Sequence, residues 1–164
     1  MPHLCDEGTI HFGEEMKKEY IKLGHLSKKT PLNASPGQFH KHRILCVDDE
    51  IIGTTMRGEI LKEHGHSVVL YHCPLAVLRC DLSMFDLAVL DFQMPGLNGR
   101  ELFLRMRALG ARFPIVLLTG CVDALSYEDR VLFARCINKG TPIQRLLETI
   151  AEFLDPDQVP DCGM

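Results

Sequence analysis

The sequence has no run of about 18 apolar residues, which is the length that a membrane-spanning helix needs. A secretory signal is also missing, because the first fifteen residues, MPHLCDEGTIHFGEE, are acidic and polar where a signal would have a basic start and an apolar centre. We therefore expect a protein that stays in the cytoplasm and does not insert into a membrane.

The seven cysteines include no CxxC pair, a spacing that many zinc and redox motifs use. Their number is odd and several lie within apolar runs, so we interpret them as reduced, small core residues. Five of the eight histidines fall in residues 1–42, but His40 and His42 have no acidic or cysteine ligands nearby at metal-site spacing. The histidines therefore predict a solvated segment.

Excess positive charge is absent from most of the chain. Residues 1–42 contain six lysines and five acidic residues, whereas residues 43–164 contain twelve basic and seventeen acidic residues, and the whole chain has a formal net charge of −4. An acidic main segment argues against nonspecific binding to nucleic acid. We expect no nucleic-acid partner.

The 164 residues are enough for one domain of ordinary size with additional segments. Residues 1–42 form an N-terminal extension, in which 14–26 has the period of an amphipathic helix and a linker rich in Pro, Ser, Gly and Lys follows. Residues 43–154 form the main domain, and the polar residues 155–164 form a C-terminal tail. We find no internal repeats.

Short apolar runs alternate with segments of helical period from residue 43 onward. This alternation predicts an α/β fold with a parallel sheet covered by helices on both faces. The predicted strands are 43–47, 67–71, 86–90, 113–118 and 135–138. The predicted helices are 52–63, one that opens at Pro74, 99–109, one within 124–133, and one that begins with Thr141 as its cap and Pro142 in its first turn.

Four of the five predicted strands end in polar residues. Ligands bind outside the carboxyl ends of the strands in open α/β sheets, so these residues predict one common site: Asp48 and Asp49, Asp91, Thr119, and Lys139. Three carboxylates in one crevice repel one another near neutral pH unless a hard cation such as Mg²⁺ neutralises them. A lysine ammonium and a threonine hydroxyl can each bind an oxygen of a phosphoryl group. The five residues together therefore favour phosphoryl transfer to a carboxylate.

The segments ILCVDDE, LAVLDFQMPGLNG and PIVLLTG and the late Lys139 resemble the receiver domain of two-component response regulators, in that family's order and at close to its intervals. The resemblance covers roughly Arg43 to Leu154. It implies a flavodoxin-like, doubly wound sheet of five parallel strands in the order 2-1-3-4-5, as in stand-alone chemotaxis-type receivers.

The same resemblance implies that Asp91 is the phosphoacceptor for a histidine kinase, a phosphotransfer protein or a small phosphodonor. It implies that Mg²⁺ is held by Asp48, Asp49, Asp91 and the backbone carbonyl of Gln93, with Thr119 and Lys139 on the phosphoryl oxygens. Catalysis would be limited to Mg²⁺-dependent self-phosphorylation and slow autodephosphorylation. Gln93 and Cys121, two residues beyond Asp91 and Thr119, would tune the lifetime of the phosphate.

The sequence departs from the family pattern on the signalling side. Cys136 stands where an aromatic switch residue is common, Gly140 follows Lys139 where a proline is common, and the turn before the fifth strand has no glycine. Receivers ordinarily signal through this face, often as homodimers. Because the face is altered here, a homodimer and a contact with a different protein both remain as alternative outputs. The downstream protein and the role of residues 1–42 are not specified by the sequence.

Three other functions stand as alternatives to the phosphorylation-dependent switch. A receiver-like interaction module that works without phosphorylation is favoured by the altered signalling face. A phosphatase of the haloacid dehalogenase type would have an acid two residues after the nucleophile, but Gln93 stands there. A flavodoxin would have a Ser/Thr-rich phosphate loop after the first strand, and no such loop follows residues 43–47.

Overall fold

The computed structural model describes residues 42–155. The predicted helix 14–26, the linker after it and residues 156–164 lie outside the described residues. Five strands run through the described part of the chain: β1 (Arg43–Val47), β2 (Ser67–Tyr71), β3 (Leu87–Asp91), β4 (Ile115–Thr119) and β5 (Arg135–Asn138).

Helices connect the strands. They are α1 (Ile51–Glu63), α2 (Pro74–Val77), α3 (Gly99–Ala108), α4 (Tyr127–Arg130) and α5 (Ile143–Leu154), with single 3₁₀ turns at Leu82–Met84 and Val122–Ala124. The strands are all parallel and lie in the order β2-β1-β3-β4-β5. The predicted α/β class and the strand order 2-1-3-4-5 are confirmed.

Alternate residues of the central strands supply two separate hydrophobic cores, because successive side chains of a strand point to opposite faces of the sheet. Leu45, Leu90 and Leu117 pack with α2 and α3 on one face. Cys46 and Val89 pack with α1 and α5 on the other. Since both faces are covered, β1, β3 and β4 read in the sequence as nearly continuous apolar runs.

The ends of several elements differ from the prediction. Strand β4 begins at Ile115 rather than at residue 113, because Pro114 has no N–H to donate to the sheet. Thr141 does not cap α5: Pro142 precedes the first helical residue without a side-chain cap, and the Thr141 hydroxyl donates to the Asn138 carbonyl at 2.7 Å. The segment predicted as a helix within 124–133 contains only the single turn of α4.

Helix α1 packs through a face different from its apolar stripe. The sequence places Ile52, Met56, Ile60 and Leu61 at helical spacing, yet Ile52 is 49% exposed and only Leu61 of these is fully buried. The remaining buried residues are Thr54 and Gly58. A Cβ on Gly58 would meet the Leu70 side chain of β2 at 3.0 Å, so the small residue lets the helix approach the sheet.

Candidate functional site

The carboxyl end of β1 supplies the first two acids of the site. Asp48 is buried at 3% exposure, whereas Asp49 is exposed. Glu50 then caps α1 by accepting a hydrogen bond from the Gly53 N–H at 2.9 Å. Because the cap fixes where the helix begins, the two aspartates stay in the short segment between strand and helix.

Asp91 is the last residue of β3 and is only 5% exposed. The loop behind it is closed by a hydrogen bond from the Gly99 N–H to the Phe92 carbonyl at 2.8 Å. Gly96 turns this loop at φ +79°, a conformation that side chains disfavour. A Cβ on Gly99 would collide with the Asp91 carbonyl oxygen, so α3 starts as close to β3 as a backbone allows.

The three aspartates form one acidic cluster, which we define as Asp48, Asp49 and Asp91. One carboxylate oxygen from each lies within 4.8 Å of the others. Oxygen ligands at this separation, partly buried and of like charge, are the donor set that hard divalent cations prefer. The cluster therefore fits a metal ion.

Lys139, directly after β5, joins the two buried members of the acidic cluster. Its Nζ lies 2.9 Å from Asp48 Oδ2 and 3.2 Å from Asp91 Oδ1. Burial alone would lower the pKa of Lys139, but the hydrogen bond to Asp48 and the charges of both carboxylates outweigh it, so the pKa lies above its ordinary value. The ammonium therefore remains charged at neutral pH.

The pKa of Asp91 is raised, and the cause is chiefly burial of the carboxylate. The charge of Lys139 opposes this rise, while the charge of Asp48 adds to it. The site without a cation thus penalises the ionised form of the carboxylate that the sequence singles out as a nucleophile.

The other residues singled out in the sequence lie around the same edge. Thr119 ends β4 and is 3% exposed, and its carbonyl accepts the Lys139 N–H at 2.7 Å. Gln93 and Cys121 are both exposed, in the loops after β3 and β4. Cys136 is half-buried on β5, and its thiol lies 3.8 Å from the Arg130 carbonyl.

Sequence reasoning missed two side chains that contact Asp48. Arg57 Nη2 lies 2.5 Å from Asp48 Oδ2, and the His72 ring Nδ1 lies 3.0 Å from the Asp48 carbonyl oxygen. Arg57 stands three residues after Thr54 and four before Leu61, on the buried face of α1. The apolar spacing of that helix pointed to another face, so the sequence gave no direct signal for this arginine.

A family model described as the response regulator receiver domain matches residues 44–151. The chain belongs to that family. The predicted resemblance is thereby confirmed, and membership implies phosphorylation-dependent signalling in a two-component system. A receiver domain is a signalling domain rather than a classical enzyme.

Relatives of this receiver domain include much longer proteins. The cyclic di-GMP phosphodiesterase response regulator RpfG of Xanthomonas campestris is 31% identical over an alignment of 116 positions that covers 58% of this chain and 31% of the relative. The transcriptional regulatory protein RprY of Bacteroides fragilis is 39% identical over 77 residues, 46% of this chain and 32% of the relative. The chain thus spans about a third of the length of these curated relatives.

Solved receiver structures share the fold. The response regulator protein TrrA of Thermotoga maritima, crystallised in complex with Mg²⁺-BeF, is 28% identical with a TM-score of 0.63, covering 69% of this chain and 99% of that chain.

Within residues 42–155, no helix is both long and apolar enough to cross a membrane.

Proposed function

We propose that this receiver accepts a phosphoryl group on Asp91 and signals through contacts with other proteins. The observation that carries the proposal is the position of Asp91, buried at the end of β3, with Lys139 Nζ at 3.2 Å and two further aspartates of the acidic cluster beside it. Buried acids gathered in this way oppose stable packing, so their presence needs a chemical explanation.

The transfer step uses a carboxylate oxygen of Asp91 as the nucleophile. That oxygen attacks phosphorus, the P–N bond of a phosphohistidine breaks, and its electron pair returns to the imidazole nitrogen, which leaves an acyl phosphate on Asp91. Strand β3 holds the carboxylate in line with the incoming group because its backbone is fixed by β1 and β4 on either side. Hydrolysis of the acyl phosphate by water returns the free carboxylate.

Lys139 and Thr119 hold the phosphoryl oxygens in this proposal. The Lys139 ammonium already contacts Asp91 Oδ1, so it can move by a few ångströms to an oxygen of the new phosphate and neutralise its added charge. Thr119 ends the strand next to β3 and its hydroxyl suits a second oxygen of the same group.

Mg²⁺ is the cation that we assign to the acidic cluster. Asp48, Asp49, Asp91 and the backbone carbonyl of Gln93 would hold it, and when bound it would neutralise the carboxylates and the phosphoryl oxygens together. The crystallised relative TrrA carries Mg²⁺-BeF, which supports the assignment. Catalysis by the chain itself is then limited to Mg²⁺-dependent self-phosphorylation and slow autodephosphorylation.

The partners proposed for this cycle are a histidine kinase or phosphotransfer protein as donor and a separate protein as output, in the cytoplasm. We propose neither nucleic-acid binding nor membrane insertion. A homodimer through α4, β5 and α5 is an alternative form of output. Cys136 replaces the aromatic residue common on this face and lies against the Arg130 carbonyl, so any switch there must use another side chain.

Incubation with acetyl phosphate and MgCl₂ tests the proposal. Intact mass should increase by one phosphoryl group in the wild type and should stay unchanged in Asp91→Ala, because the attacking oxygen is removed. Asp123→Asn is the matched control, since Asp123 is an exposed acid outside the cluster, and it should be phosphorylated like the wild type.

Binding of beryllofluoride with Mg²⁺, followed by amide NMR shifts, gives a second readout that needs no covalent step. Shifts centred on residues near Asp91 and Lys139 are expected. A folded wild type that neither gains mass nor shows these shifts would exclude phosphorylation and favour the alternative, a receiver-like interaction module that works without it.

A further inference from the structure

Arg57 of helix α1 places a positive charge against Asp48, a buried member of the acidic cluster. Its side chain is only 15% exposed, and its Nη2 lies 2.5 Å from Asp48 Oδ2. Arg57 also lines one small cavity together with Asp48 and Asp91. The guanidinium of Arg57 is thus a cation held directly against a carboxylate of the cluster.

The structure around Arg57 fixes the guanidinium in place. The Thr54 hydroxyl donates to the Glu50 carbonyl at 2.8 Å and accepts from Arg57 Nη2 at 3.1 Å. Gly53, one turn earlier, leaves the space that the guanidinium uses, because a Cβ there would lie 3.0 Å from Arg57 Nη1. The contact with Asp48 is thus supported by two neighbouring residues of α1.

Both carboxylate oxygens of Asp48 have partners, and Oδ2 has two of them. Its Oδ1 accepts the Glu50 N–H at 2.9 Å, while its Oδ2 accepts from both Arg57 at 2.5 Å and Lys139 at 2.9 Å. An oxygen of a carboxylate offers about two lone-pair sites. A metal ion that ligates Asp48 through Oδ2 must therefore displace one of two cations.

We propose that Arg57 is a resident counter-charge that competes with Mg²⁺ for Asp48 and so weakens Mg²⁺ binding by this receiver. The inference rests on the proposed metal site. Lys139 can leave Asp48 for a phosphoryl oxygen, but Arg57 cannot follow it without losing the Thr54 hydroxyl. Mg²⁺ is then held chiefly by Asp49, Asp91 and the backbone carbonyl of Gln93, and Asp48 Oδ2 becomes a ligand only where Arg57 moves away from it.

Isothermal titration calorimetry with MgCl₂ alone, without a phosphodonor, tests this. Arg57→Met keeps an unbranched side chain of similar length but removes the charge, and we expect about tenfold or more tighter Mg²⁺ binding, as removal of a unit charge a few ångströms from a half-buried ion predicts. Thr54→Val keeps Arg57 and removes only its hydroxyl partner, so a smaller gain in affinity is expected.

Arg145→Met is the matched control. Arg145 is exposed and pairs with Glu148 on α5, so this variant changes the net charge by the same amount without touching the cluster, and screening should leave its Mg²⁺ affinity near that of the wild type. Circular dichroism and melting without Mg²⁺ verify that each variant is folded. Arg57→Gln, which keeps an amide donor, replaces Arg57→Met if that variant does not fold.

The outcomes separate the two proposals. Equal or weaker Mg²⁺ binding by the folded, neutral Arg57 variant, with a wild type that does bind Mg²⁺, overturns the inference and leaves the metal site standing. An equal gain in Arg145→Met also overturns it, because net charge alone would then explain the effect. If neither the wild type nor the Arg57 variant binds Mg²⁺, the proposed metal site falls and the inference falls with it.

Discussion

At the scale of one residue, Asp91 shows how a buried carboxylate lowers the stability of the folded protein. Its carboxylate is buried at the end of β3, and burial raises its pKa above the ordinary range. The folded protein therefore favours the neutral form more than the unfolded chain does. It follows that ionisation of Asp91 lowers stability as the pH rises through the raised pKa, while below the unfolded-state pKa the full stability is present.

The variant Asp91→Asn should therefore be more stable than the wild type near neutral pH in the presence of EDTA, by about 1 kcal/mol in the free energy of unfolding. The advantage should shrink as the pH falls and Asp91 becomes protonated. It should also shrink when Mg²⁺ is added, because the cation stabilises only the wild-type carboxylate. Urea denaturation at several pH values, with EDTA or MgCl₂, measures all three effects. A variant less stable than the wild type at pH 7 in EDTA would contradict the argument.

Site residues could be predicted to the extent that they stand at the ends of buried strands. The neighbourhood of Asp48, Asp91 and Lys139 follows from that position alone, since parallel strands bring their carboxyl ends to one edge. Arg57 could not be predicted in this way. Its contact with Asp48 depends on the rotation of α1 about its axis, and the exposed Ile52 shows that the apolar spacing indicated the wrong rotation.

Strands were predictable at the scale of elements because burial on both faces makes each one a continuous apolar run. Their ends agree with the expected residues to within two positions. The helices that flank β5 were less predictable from the sequence. Helix α4 has one turn, capped by Ser126, and the Thr141 hydroxyl bonds to Asn138 rather than to the start of α5, because a nearby carbonyl competes for the same hydroxyl.

The approach of α3 to β3 depends on Gly99. Gly99→Ala should destabilise the protein by about 2 kcal/mol or more, because the added methyl group would collide with the Asp91 carbonyl oxygen and the Phe92 backbone, neither of which can move freely. Phosphorylation of Asp91 should also slow, since the displaced backbone carries the proposed nucleophile. Urea denaturation and intact-mass kinetics with acetyl phosphate measure the two effects.

Gly120→Ala is the control for this prediction. Gly120 lies in the loop after Thr119, and a Cβ there would meet nothing within 4 Å. Its stability should stay within about 0.5 kcal/mol of the wild type. Similar losses in both variants would mean that the close approach of α3 to β3 is not the cause.

The described part of the molecule contains two hydrophobic cores, one on each face of the sheet. Its two ends also contact each other, because the His42 ring Nε2 lies 3.3 Å from Asp155 Oδ1. A domain with its own cores and joined ends should fold independently. The predicted division of the chain at residues 43 and 154 is thus open to a direct test.

A fragment of residues 42–155 should unfold in one cooperative transition, with a midpoint within a few degrees of the full chain, and should be phosphorylated at a similar rate. Differential scanning calorimetry and intact-mass kinetics check these expectations. A fragment that aggregates or melts without cooperativity would show that residues 1–41 or 156–164 belong to the folded unit.

The contact between His42 and Asp155 also fixes where any neighbouring polypeptide is attached. His42 precedes the first residue of β1, at the amino edge of the sheet, whereas the acidic cluster lies at the carboxyl edge, about 16 Å away along a five-residue strand. The chain therefore enters and leaves the described domain at one place, at the edge of the sheet opposite the acidic cluster. A module fused directly before His42 or directly after Asp155 would therefore be attached at the amino edge, so that neither junction lies beside the acidic cluster.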